Sequence, residues 1–145
     1  MKTICWILTM CLSLLFAGLP PAAAQNQRPA ISVQSALKTM DVVEAGLVEL
    51  DKMTRDFLES VNDTKKETGD LTPEDKVAAY LVISVFAASY VDFADIMHDL
   101  LGQLNDLSAA EKAQIAEKNK KIAAAIDSGE ALIKELISAT EDRDL

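Results

Sequence analysis

Apolar side chains recur at spacings of three and four from residue 33 onward, and no stretch of strand length alternates polar with apolar positions. Such spacing turns one face of each segment toward a core and predicts α-helices. In the first segment Val33, Met40, Leu47, Thr54 and Val61 share one heptad position and Ala36, Val43, Leu50 and Phe57 share the other, with only Thr54 breaking the stripe. Ser32 offers an N-cap and Gly69 can take the left-handed conformation that closes a helix, so the first helix is expected over 33–68. Thr72, Pro73, Glu74 and Asp75 then supply a capping hydroxyl, a proline suited to the first helical position and two acids at the positive helix end. The second helix is expected over 73–104, on a seam of Ala79, Ile83, Phe86, Tyr90, Phe93, Met97, Leu100 and Leu104 that steps strictly by four and three. Asn105-Asp106 interrupts that seam, and Ser108-Ala109-Ala110-Glu111 reads as a capping box opening a third helix over 109–139. This last helix sets Ile115, Ile122, Gly129 and Leu136 on one seam position and Asn119, Ile126 and Ile133 on the other.

Three helices of matched length, each about 45–50 Å at 1.5 Å per residue, joined by short turns, predict an all-α, antiparallel up-down-up three-helix bundle. Folding the chain back about Gly69-Asp70 sets Phe93 level with Gly46 and Phe57 near Val82. Around the second turn, Phe86 and Tyr90 fall opposite the stretch from Ala123 to Gly129. Aromatic knobs on the second helix are therefore expected to fill small-residue holes on its neighbours. Thr54 and Asn119 are read as devices that fix register, and Tyr80 and Tyr90 as core residues whose hydroxyls reach a polar edge.

The start of the chain follows another rule. Lys2, an apolar run from Ile4 to Leu19, Pro20-Pro21 and Ala22-Ala23-Ala24 ahead of Gln25 have the make-up of a secretory signal peptide over 1–24. A short linker over 25–31, a bundle domain over 32–140 and an acidic tail over 141–145 complete the expected organisation, in an exported, periplasmic or secreted protein. Cys5 and Cys11 both fall in the signal segment, so the mature chain is expected to hold neither a disulfide nor a thiolate ligand. Cleavage after Ala24 moves the net charge from −9 to −10, because Lys2 departs and no acid does. That acidity argues against nucleic acid and anionic lipid as partners and favours solubility. His98 is the one histidine, and neither a glycine-rich phosphate loop nor a nucleophile elbow is present, so no catalysis and no cofactor are expected.

What stands out is the second helix. Between Val77 and Val91 its only polar residues are Ser84 and Ser89, apart from the Tyr80 and Tyr90 hydroxyls. Val77, Leu81, Val85 and Ala88 lie behind the seam, where a lone three-helix bundle would leave them in water. Either internal packing covers them or they form an interaction face for a second copy, a protein partner or an apolar ligand. A stable membrane span is not expected in the mature chain, since the apolar run is shorter than about 20 residues and reaches Asp92. Further along, Asp92, Asp95, Asp99 and Asp106 share a sector with His98 at its edge. Side chains at those spacings could gather around a divalent cation, although an ordinary solvated face has the same pattern.

Leu71-Thr72-Pro73-Glu74-Asp75 and Leu107-Ser108-Ala109-Ala110-Glu111 are superficially similar to the repeated Leu-Thr-x-x-Gln element of small helical periplasmic stress chaperones. Both carry an acid where that family has glutamine, helix capping accounts for them, and no residue role is carried over. The expected function is that of a small exported helical binding protein that uses the apolar face of its second helix for self-association or a protein partner. The alternative is a periplasmic carrier or chaperone-like protein for apolar ligands or segments, and the third reading is cation binding on the Asp92–Asp99 strip.

Overall fold

The computed structural model describes residues 31–141. The expected signal peptide, nearly all of the expected linker and the tail beyond Glu141 lie outside the described residues. Within them the chain forms three packed helices, α1 (Val33–Thr68), α2 (Pro73–Gly102) and α3 (Ala109–Thr140), and no strand.

Each helix begins where a hydroxyl takes over an amide that has no partner within the helix. The backbone N–H of Ser35 donates to Ser32 Oγ at 3.2 Å, that of Asp75 to Thr72 Oγ1 at 3.2 Å, and that of Glu111 to Ser108 Oγ at 3.3 Å. At the third start the bond is returned, because the Ser108 N–H donates to Glu111 Oε2 at 2.9 Å and completes the capping box. The Ser108 hydroxyl, which donates to the same Oε2 at 2.6 Å, and this backbone N–H hold the Glu111 carboxyl below the usual carboxylate range. At the far end of α1, Gly69 sits at φ 85°, and its N–H donates to the Lys65 carbonyl at 2.9 Å.

Two helix ends depart from expectation. α2 stops at Gly102 rather than Leu104, because the N–H groups of Gln103 and Leu104 reach back only three residues, to the carbonyls of Leu100 and Leu101, each at 3.2 Å. That tightening ends the α-helix, and Asp106 then turns the chain at φ 53°. α3 runs one residue past Ala139 to Thr140, whose fully buried hydroxyl donates to the Leu136 carbonyl at 2.8 Å. Lys65 of α1 closes this end by donating from its ammonium to the carbonyls of Ala139 at 2.7 Å and Glu141 at 3.0 Å.

The expected α1 seam is buried from Ala36 to Val61, Thr54 included, and the α2 seam is buried at Ala79, Ile83, Phe86, Tyr90, Met97 and Leu100. Leu71, Val82 and Leu132 join the core from positions outside the seams. Thr54 is accommodated because its hydroxyl donates to the Leu50 carbonyl of its own helix at 2.8 Å. Phe93 stands against Gly46, where an added Cβ would lie 2.7 Å from the ring. Tyr90 packs closer still on Gly129, where a Cβ would lie 1.9 Å from the ring. Phe57 meets Phe86 edge-on, with centroids 6.0 Å apart at 75°, about one turn beyond the expected Val82. Among the three pairs, α1 and α3 share the most extensive contact and α1 and α2 the least.

The two tyrosines part company. Tyr90 is buried, and its hydroxyl donates to Asp51 Oδ1 at 3.0 Å and lies 3.5 Å from Thr54 Oγ1. Burial, reinforced by the bond to Asp51, pushes its ionisation up to about 12, although the Thr54 hydroxyl works in the opposite direction. Tyr80, expected in the core, is instead 40% exposed. Asn119 is half-buried.

Candidate functional site

The inward half of α2 is fully committed to the core, so the outward half can be taken by itself. Val77 is 62% exposed, Leu81 59% and Val91 58%, and Ala88 and Ser84 are exposed between them. The steps along this line run 4, 3, 4, 3 from Val77 through Leu81, Ser84 and Ala88 to Val91, which is the spacing of a second seam on the opposite side of the helix from the first. Single exposed valines are ordinary; a continuous apolar line on one helix is not. Val85, which the sequence placed on this face, is half-buried and packs against the core. Tyr80 takes the outer flank in its place.

Ser84 makes the line drier than its composition suggests, and half-buried Ser89 beside it behaves alike. Ser84 Oγ donates to the Tyr80 carbonyl at 2.8 Å and Ser89 Oγ to the Val85 carbonyl at 2.9 Å. Each hydroxyl hydrogen is spent on its own helix, so little polar character faces outward.

Beyond Val91 the same side of α2 turns acidic, with Asp92, Asp95, His98 and Asp99 all exposed. Asp106 no longer belongs to this strip, because the helix ends before it and its backbone turns away at φ 53°. Among the described residues no group of three or more histidine, cysteine, aspartate or glutamate side chains is arranged to hold a metal ion.

Other surfaces offer less. Val42 and Val48 are exposed on α1, at 71% and 66%, but they stand six residues apart, with exposed Asp41 and Glu49 as their chain neighbours. Between α1 and α3 a groove of about 410 Å³ has Leu37 as its only apolar lining residue. Its wall is crossed by Lys118, whose ammonium pairs with Asp41 and stands 3.7 Å from Glu44. Charged walls of this kind do not suit an apolar ligand.

By length and composition α2 is the one helix among the described residues that could cross a membrane. The uncharged run itself is shorter than a span, and the 30-residue helix reaches spanning length only by taking in charged residues at its ends. No protein-family model, curated protein or solved structure matches the chain.

Proposed function

We propose that this chain is an exported, non-catalytic binding protein whose contact surface is the outer line of α2 from Val77 to Val91, and that its first use is self-association. The observation that carries this reading is the exposure of Val77, Leu81 and Val91 at seam spacing on a helix whose opposite side is already buried. An apolar face of that kind gains about 25 cal/mol for each Å² withdrawn from water. The make-up of residues 1–24 supports export, and the scarcity of nucleophiles and acid-base pairs in the rest supports binding over catalysis.

The frame of the reading is an up-down-up bundle. Three contacts favour it for α1 and α2: Gly46 with Phe93, Asp51 with Tyr90, and Phe57 with Phe86, in which one number rises as the other falls. For α1 and α3, Asp41 meets Lys118 and Lys65 meets Ala139, so both numbers rise together.

A membrane role for α2 is the competing use of the same face. Lys76 and Asp92 bound an uncharged stretch of about 15 residues, or about 22 Å of helix, against a hydrocarbon core of about 30 Å. The inner side would also carry Tyr90 and its bond to Asp51 into that layer. Both features favour a soluble contact.

The deciding experiment is light scattering on the exported chain over a concentration series, beside Leu81→Glu. The expected result is a mass that rises with concentration for the native chain and stays monomeric for the variant, with unchanged helical circular dichroism. A native chain that is monomeric throughout would refute self-association. Unfolding of Leu81→Glu would show that the face is core.

A further inference from the structure

Resting on that reading, we infer that the partner on the outer line of α2 is a second copy of the same helix running antiparallel, with the two-fold axis passing near Ser84. The argument comes from the order of side chains along the line. Counting outward from Ser84, Val77 lies seven residues before it and Val91 seven after, while Leu81 lies three before and Ala88 four after. Turning a second copy end over end about Ser84 sets Val77 of one level with Val91 of the other, and Leu81 of one over Ala88 of the other. The largest side chain of the line, Leu81, then meets small Ala88, the two valines meet at the ends, and small Ser84 sits on the axis where a side chain meets its own image.

Charge selects the same direction. In a parallel pair, Asp92, Asp95 and Asp99 would each face their own counterparts, and like charges in register are repelled. The antiparallel pair sends the two acidic strips to opposite ends of the contact. There Asp92 of one copy comes level with Lys76 of the other, and Asp95 with Pro73.

The size of the line sets how firm the contact can be. About 22 Å of helix, one helix diameter of about 10 Å across, covers a few hundred Å² per copy, less than the roughly 800 Å² per partner of a standard interface. The dimer is therefore a reversible one that forms in the micromolar range or above.

The test is cross-linking with a short bismaleimide, in a full-length background with Cys5 and Cys11 replaced by serine. Ser84→Cys should cross-link to itself. A mixture of Val77→Cys and Val91→Cys should cross-link far more than either variant alone, and Ala131→Cys, on the exposed side of α3, should not cross-link. Efficient cross-linking of Val77→Cys by itself would overturn the antiparallel direction. A concentration-dependent dimer in light scattering without the mixed cross-link would overturn this arrangement and leave self-association standing; a monomer at every concentration would remove both. These substitutions are small and exposed, so unchanged circular dichroism is expected of each and confirms that the pattern reports contact.

Discussion

Replacing Gly129 by alanine tests the packing of α2 on α3 at its closest point. An added Cβ would stand 1.9, 2.2 and 2.5 Å from three atoms of the Tyr90 ring, well inside any tolerable separation. The ring has little room to yield, because it is buried and its hydroxyl is anchored on Asp51. Either the two helices separate or Tyr90 leaves its site. Separation is an overpacking change of about 1–3 kcal/mol or more; eviction forfeits a buried aromatic, about 3–5 kcal/mol for a large-to-small loss, together with a hydrogen bond. Against this, alanine is favoured over glycine inside a helix by about 1 kcal/mol. The net expectation is a destabilisation of about 2 kcal/mol, read as a fall in the urea midpoint by far-UV circular dichroism with the slope unchanged. Combining Gly129→Ala with Tyr90→Ala should remove the penalty, so that the pair is no less stable than Tyr90→Ala alone. A Gly129→Ala protein as stable as the parent would refute the argument.

Gly46→Ala meets only the tip of the half-buried Phe93 ring, at 2.7 Å, so it should change stability by less than about 1 kcal/mol in the same urea assay, the helix propensity gain offsetting the contact. The raised ionisation of Tyr90 makes its contribution whole below pH 10 and lost as pH climbs toward 12; the parent should lose up to about 2–3 kcal/mol over that window, and Tyr90→Phe should lose correspondingly less in alkaline denaturation. Ser108→Ala removes the hydroxyl half of the capping box while leaving the backbone N–H bond to Glu111, and should cost about 1 kcal/mol by thermal melting.

How far the sequence foretold this depended on the range of the interaction involved. Helix starts at Ser32, Thr72 and Ser108 were legible because a cap is settled within four residues. The stop at Gly69 was legible for the same reason. The end of α2 was overrun, since the apolar seam continues to Leu104 while the backbone has already tightened. Leu71 escaped notice because a turn residue has no periodicity to betray it. The exchange of roles between Tyr80 and Val85 has a different origin: they flank the seam on opposite sides. Which flank turns inward depends on the side from which the neighbouring helices pack, and a repeat along one helix carries no record of that. The face itself was legible at Val77, Leu81 and Ala88, which lie directly opposite the seam, where either arrangement leaves them outside. Lys65 reaching the carbonyls of Ala139 and Glu141 links positions more than seventy residues apart and could not be read from local pattern.

That lysine also bears on when the fold becomes complete. The first and third helices hold the largest contact and the first two the smallest. Lys65 waits for carbonyls that belong to the last turn of α3. The pairing of α1 with α3 must close a long loop, and it can form only once nearly all of the described chain is present. A chain that crosses a membrane as an unfolded thread would profit from such lateness, since the largest helix contact and the Lys65 bonds cannot form before the final helix arrives.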